Sequence, residues 1–336
     1  MVGTKLIGTG LIGTGLDDTT LANTTGSIRV NNTVDSATIS TSTSNADSAT
    51  KKNESDGQLL GAADIRRIAA EEGITPTKKF GQNFVIDPGT VRKIVAAAGV
   101  QAGDMVMEVG PGLGSLTLAL LQAGSNLTAI EIDPPLAKRL PHTVEEFMPQ
   151  ASSRFTVILK DALALDANDV PQLANATQFT LVANLPYNVA TPIVLTLLEK
   201  FSNLQHFLVM VQKEVADRLC AQPGNKVYGT PSVKLAWYGT AQRAGLIGRN
   251  VFWPAPNVDS ALVSFTRDET SKGEEQEREG VFALIDAAFQ QRRKTLHAAL
   301  KHLVPEAAYE RSGIDPTRRG ETLTCDEFIS LYRACK

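Results

Sequence analysis

A chain of 336 residues, 43% hydrophobic and 21% charged, carries enough apolar surface for one large domain and a smaller companion. Its formal net charge of −3 excludes a globally basic molecule, so any contact with nucleic acid has to use a local cationic surface. Three cysteines without a Cys-x-x-Cys pair, and four histidines without metal-ligand spacing, argue against a disulfide framework and against a metal site.

Residues 1–56 are rich in Ser, Thr, Asn, Gly and Asp, and Leu6-Ile7-Gly8-Thr9-Gly10 repeats at once as Leu11-Ile12-Gly13-Thr14-Gly15. No aromatic residue precedes Phe80. Such a segment buries too little apolar surface to offset its ordering entropy, so a disordered tail is expected there. The apolar run Leu6 to Leu16 is broken by glycines and is too short to span a bilayer, and it lacks the layout of a signal peptide. A cytoplasmic protein without membrane association is the expectation.

From Asp64 the periodicity turns helical, with Ile65, Ile68 and Ala69 on one face and Gly73 as the stop. Lys78-Lys79-Phe80-Gly81-Gln82-Asn83-Phe84-Val85 then reads as a loop that can lie over a ligand. Pro88 starts a helix whose apolar face is Val91, Ile94, Val95 and Ala98.

Met105–Val109 reads as a short strand, Gly110-Pro111-Gly112-Leu113-Gly114 as a tight turn, and Ser115 onward as a helix. Glycines let a ligand approach the backbone, and the helix start offers free N–H groups. The next strand, from Leu127, carries Glu131 at the spacing of a ribose-binding acid. A dinucleotide prefers glycine at position 115, where Ser115 stands. The acid Glu108 before the turn disfavours phosphate and suits a cation. An adenosine ligand with a positive charge and no phosphate is S-adenosyl-L-methionine.

A third strand, Phe155–Leu159, ends at Asp161, which either contacts an adenine amino group or simply caps its loop. A fourth, Leu181-Val182-Ala183, runs into Asn184-Leu185-Pro186-Tyr187. Alone, that stretch fits a strand and a proline turn as well as it fits a site for a planar base. A fifth strand, His206–Val211, leads into a helix from Gln212. The strand-end series Gly110, Glu131, Asp161, Asn184 marks one edge of a parallel sheet, where ligands bind in open α/β folds.

The prolines of Phe252–Ser260 point to a stiff irregular loop carrying Phe252 and Trp253. Leu262–Phe265 reads as a last strand and Asp268–Glu279 as a charged linker. The tail is helical, with Val281, Phe282, Leu284, Ile285, Ala288 and Phe289 in one stripe that Leu296, Ala299, Leu300 and Leu303 continue. Between them Arg292-Arg293-Lys294 forms the densest cationic run, either an RNA contact or a solvated helix face.

Phe80-Gly81-Gln82-Asn83-Phe84, Glu108-Val109-Gly110-Pro111-Gly112, Asn184-Leu185-Pro186-Tyr187-Asn188, Gln212-Lys213-Glu214-Val215, the Phe252–Ser260 loop and Arg292-Arg293-Lys294-Thr295 together resemble the ribosomal RNA adenine dimethyltransferase family. The likeness runs from about residue 75 to the C-terminus, and the basic tail segment looks most like the small-subunit branch. The resemblance implies a Rossmann-like S-adenosylmethionine-dependent α/β sheet at 57–268, helices on both faces, and a small all-α RNA-binding domain at 269–336. It implies cofactor contacts from Asn83, Val85, Gly110, Glu131, Asp161 and Asn184. The target adenine would be handled by Asn184, Leu185, Pro186, Tyr187 and Phe252, and RNA by Lys78, Lys79, Arg292, Arg293 and Lys294.

The implied reaction is N6,N6-dimethylation of two adjacent adenosines in a hairpin near the 3′ end of 16S rRNA. The implied partner is 16S rRNA within a pre-small-subunit particle, and a monomer is expected. A large-subunit rRNA methyltransferase, a non-catalytic assembly factor, a nicotinamide oxidoreductase and a DNA adenine methyltransferase remain the alternatives. Ser115 and Asn-Leu-Pro-Tyr weigh against the oxidoreductase.

Overall fold

The computed structural model describes residues 57–76 and 82–336; the expected tail at 1–56 and the predicted RNA-binding residues Lys78 and Lys79 lie outside them. Nine strands are present among the described residues: β1 (Phe84–Val85), β2 (Met105–Val109), β3 (Asn126–Glu131), β4 (Phe155–Leu159), β5 (Phe179–Asn184), β6 (Leu204–Gln212), β7 (Gly239–Ile247), β8 (Phe252–Trp253) and β9 (Ser260–Arg267). Seven of them form one sheet in the order β4-β3-β2-β5-β6-β9-β7, and β1 pairs separately with β8. The pairings from β4 to β6 are parallel; β9 runs antiparallel to both β6 and β7.

The interior strands are apolar on both faces because both faces are covered. Successive residues alternate between two cores. Val106, Val182, Leu208, Met210 and Leu262 join one core with the N-terminal helices Ala62–Glu71 and Pro88–Ala98. Met107, Leu181, Ala183, Phe207, Val209 and Val263 join the other with helix Ala190–Lys200 and the C-terminal helices. Phe207 stacks on Phe265 across the β6–β9 ladder, with ring centroids 4.7 Å apart. The α/β class and the helical C-terminal part are therefore as expected, and that part shares its core with one face of the sheet.

Three local expectations change. The charged stretch read as a linker through Glu279 is helical from Glu275, in a helix that runs to Gln290. Glu277 accepts from the Glu274 backbone N–H in a capping box and pairs with Arg333 at 2.7 Å, while Arg278 pairs with Glu199 at 2.8 Å. Those charges have partners on neighbouring helices, which sequence alone does not display. Leu303, placed in the apolar stripe, is 50% exposed, because the helix ends at Leu300 and Leu303 lies in the turn after it. Strand β7 has no counterpart among the expected strands. It is an edge strand of mixed polarity with a bulge between Arg243 and Gly245, so it lacks the apolar signature of its neighbours.

Candidate active site

Gly110 follows β2, Glu131 ends β3, Asp161 follows β4 and Asn184 ends β5. With the strand order observed, they stand along one carboxyl edge in the sequence Asp161, Glu131, Gly110, Asn184. The chain order reverses at β2, where strands run outward on either side, and a crevice opens at such a switch point. One cleft is lined by all four residues, together with Asn83, Val85, Glu108, Leu185, Pro186 and Tyr187. The structure thus brings every predicted cofactor residue to one place.

The turn after β2 needs its glycines. Gly110 and Gly112 have φ of +70° and +60°, in the left-handed region. A Cβ on Gly112 would stand 2.9 Å from the Phe84 ring, and one on Gly110 would stand 3.7 Å from the Asn184 carbonyl and from the Pro186 ring. The turn is therefore pressed between β1 and the Asn-Leu-Pro-Tyr segment. Ser115 opens the following helix and donates its hydroxyl to the Val85 carbonyl at 2.6 Å. Sequence reasoning had no signal for that tie, which joins residues 30 apart.

Glu131 is fixed by three backbone amides. Its Oε2 accepts from the Gly112 N–H at 3.2 Å, and its Oε1 from those of Ile132 and Asp133 at 2.9 Å each. Burial raises its pKa, and those amides oppose the rise. Glu108 is 1% exposed, and its Oε2 accepts the Thr117 hydroxyl at 2.7 Å. Burial pushes the Glu108 carboxyl up to about 8, and the nearby Glu131 adds to the effect. The cleft floor therefore holds two acids and no cation from the described residues that line it apart from Lys160, which pairs with Asp169 at 2.5 Å. Asp161 is exposed at the rim and its Oδ1 caps the following turn through the Leu163 N–H at 2.9 Å. Asp161 thus caps its loop and also lines the cleft.

Asn184 donates its side-chain N–H to the Asn83 carbonyl at 3.0 Å. That bond assigns the amide orientation and leaves Oδ1 as the acceptor. Leu185 is buried, and Pro186 holds the preceding backbone extended. The Tyr187 hydroxyl lies 2.8 Å from the hydroxyl of buried Ser260, and burial raises the phenol pKa, so the ring is neutral and its hydroxyl end is anchored. Gln82 donates to Asp133 at 2.8 Å, tying the loop ahead of β1 to the end of β3.

Phe252 is placed differently. The sequence puts it on an irregular loop facing the base, but it lies in β8, paired antiparallel with Val85, and is 3% exposed. It does not line the cleft, because its side chain is buried in the core with Phe84, Val85 and Leu262; Tyr187 is the ring from the predicted set that does. In the tail, Arg292, Arg293 and Lys294 occupy a turn between helices rather than a helix face. Arg292 is clamped, donating to Glu321 at 2.7 Å and to the Lys226 carbonyl at 2.6 Å, while Arg293 and Lys294 are exposed.

The arrangement suits an adenosine ligand with a cationic centre. A fixed carboxylate at the end of β3 can take ribose hydroxyls, the glycine turn admits the ligand against the backbone, and the buried acid favours a positive charge. A carbonyl-anchored amide next to a held aromatic ring can orient a planar amino-bearing base.

Comparison with known proteins agrees. A model of the family described as ribosomal RNA adenine dimethylase matches residues 75–336. Ribosomal RNA small subunit methyltransferase A of Bifidobacterium adolescentis is 68% identical over 286 residues, covering 83% of this chain and 94% of that protein. The protein of the same name from Streptomyces griseus is 55% identical over 278 residues, covering 81% and 94%. Among solved structures, a dimethyladenosine transferase from Plasmodium falciparum superposes with a TM-score of 0.61 at 23% identity, covering 73% of this chain and 94% of that one. The 23S rRNA methyltransferase ErmE superposes with a TM-score of 0.57 at 23% identity, covering 75% and 99%. The two superpositions carry the fold, and the family match carries the kinship: the chain belongs to the ribosomal RNA adenine dimethylase family.

Proposed function

We propose that this protein dimethylates the N6 amino groups of two adjacent adenosines in a hairpin near the 3′ end of 16S rRNA, using S-adenosyl-L-methionine. The observation that carries the reading is the Asn184–Asn83 hydrogen bond beside the anchored Tyr187 ring, at the end of the strand next to the glycine turn. Family membership and the relatives named for small-subunit rRNA methylation support the choice of substrate.

When bound, the cofactor supplies an electrophilic methyl group on a sulfonium. The chain does the rest by positioning. Glu131 would hold the ribose hydroxyls, Asp161 the adenine amino group, and Asn83, Val85 and Gly110 the body of the ligand. The target adenine has to leave its stack, since its amino nitrogen is otherwise out of reach. Tyr187 offers a stacking face, worth roughly 1–3 kcal/mol per base. Asn184 Oδ1 and the Leu185 carbonyl accept the two amino N–H bonds, which turns the nitrogen lone pair toward the methyl carbon. The nitrogen is cationic and acidic once methylated, so its proton leaves after transfer. Holding the partners in line contributes on the order of 7–11 kcal/mol in favourable cases.

The C-terminal helices, with Arg293 and Lys294 exposed at their turn, would contact the RNA backbone, as would Lys78 and Lys79. A monomer acting in the cytoplasm on a pre-small-subunit particle completes the reading; among the described residues no helix is long and apolar enough to cross a membrane. Mass mapping of methylated adenines in rRNA from cells with and without the gene tests it. Loss of two adjacent dimethyladenosines from the small-subunit rRNA is the expected result, and unchanged small-subunit methylation refutes the reading.

A further inference from the structure

Beside the cofactor-side cleft lies a second cavity walled by Gln212, Pro254, Pro256 and Asn257, and it shares Asn83 and Tyr187 with the first. The two cavities meet at the residues that would handle the target base. Gln212 ends β6 opposite Ser260 in the β6–β9 ladder, and Ser260 is the residue whose hydroxyl meets the Tyr187 phenol. Gln212 and the tyrosine ring are therefore braced on the same buried residue. The loop carrying Pro254–Asn257 is held at both ends, by the β1–β8 ladder and by the Lys213 N–H donating to the Asp259 carbonyl at 2.9 Å. Arg249 donates to the Asn257 carbonyl at 3.2 Å.

The chemistry of this second cavity is that of a neutral planar heterocycle. The side-chain amides of Gln212 and Asn257 make no hydrogen bond to a described residue, and each presents a donor and an acceptor. An amide of this kind pairs with the amino and ring nitrogens on one edge of adenine. The two proline rings supply flat apolar faces. Arg249, the cation that holds the loop, faces Asp259 at 3.4 Å, and the described residues lining the cavity are uncharged.

We propose that this cavity is the subsite for the adenine next to the one being methylated, read by Gln212 and Asn257. The inference rests on the rRNA-methylation reading above and deepens it. A strand with one base extruded into the first cavity presents its neighbour to the second. Because the amides read an amino group with hydrogens, an unmodified neighbour is held better than a dimethylated one. Methylation of the pair therefore has a built-in order.

The test is a single-turnover comparison on pre-small-subunit particles whose rRNA carries either two adjacent adenines or one adenine with uridine as its neighbour. Wild type is expected to slow about tenfold on the uridine substrate. Gln212→Ala and, separately, Asn257→Ala are expected to slow about tenfold on the adenine pair and to lose most of the dependence on the neighbour. Calorimetric cofactor binding shows that each variant is folded, and Asn257 lies on an exposed loop. A wild type indifferent to the neighbour, or variants that keep the full tenfold dependence, overturns the subsite. No transfer by wild type to either substrate sinks the rRNA-methylation reading itself, and the subsite with it.

Discussion

The side-chain amide of Asn184 donates to the main-chain carbonyl of Asn83 at 3.0 Å, across 101 residues of sequence. This bond joins the loop before β1 to the end of β5, and it decides which atom of Asn184 faces the cleft. Replacement by aspartate keeps an acceptor but removes the donor and sets a carboxylate against a carbonyl. Asn184→Asp is therefore expected to fail as badly as Asn184→Ala, each losing roughly 10²–10³-fold in single-turnover rate. Cofactor titration and RNA binding should remain measurable in both. Near-normal turnover by the aspartate variant contradicts the assigned orientation.

Tyr187 separates stacking from anchoring. Tyr187→Phe keeps the ring and loses the bond to Ser260, which leaves a buried hydroxyl short of a partner and costs about 1 kcal/mol of stability. Tyr187→Ala removes the stacking face as well and should lower kcat/KM by about 10- to 100-fold, from roughly 1–3 kcal/mol per base. Denaturant melts and steady-state kinetics on the same pair of variants distinguish the two contributions.

Glu108 makes cofactor binding pH-linked. Its carboxyl titrates at about 8 in the folded protein against 4.5 ordinarily, so between those values the folded state binds the extra proton. Stability accordingly falls as pH rises through that window, because the folded chain must give up a proton that the unfolded chain has already released. A sulfonium beside the acid favours its charged form and should expel the proton. Calorimetry at pH 7 in buffers of different ionisation enthalpy is expected to show proton release on cofactor binding. Glu108→Gln should abolish that release and flatten the fall of Tm with pH.

The basic turn divides into two roles. Arg293→Ala and Lys294→Ala are each expected to weaken RNA binding and to lower its salt slope by about 1 for every phosphate that the side chain neutralises. Arg292 is engaged by Glu321 and the Lys226 carbonyl, so Arg292→Ala should act mainly on stability, by up to about 1 kcal/mol at this half-exposed site. An equal change in salt slope for all three variants would contradict the division.

Much of this molecule follows from local sequence. The apolar runs at 105–109 and 206–211 specify buried strands, because a central strand needs hydrophobic residues on both faces, whereas the run at 155–159 forms an edge strand with Leu159 exposed. The glycines at 110 and 112 specify the turn, because only that residue adopts its positive φ without strain. The strand-end residues Gly110, Glu131, Asp161 and Asn184 were legible for the same reason. Their arrangement was not. Chain order is 110, 131, 161, 184, and the sheet re-sorts it to 161, 131, 110, 184 by crossing over at β2, a matter of strand pairing that local pattern does not encode. Nor does sequence reveal that Phe252 pairs with Val85 of β1, that Arg292 is spent on Glu321, or that Asn83 orients Asn184. Each of these depends on a partner far away in the chain, and only the closed tertiary packing selects it.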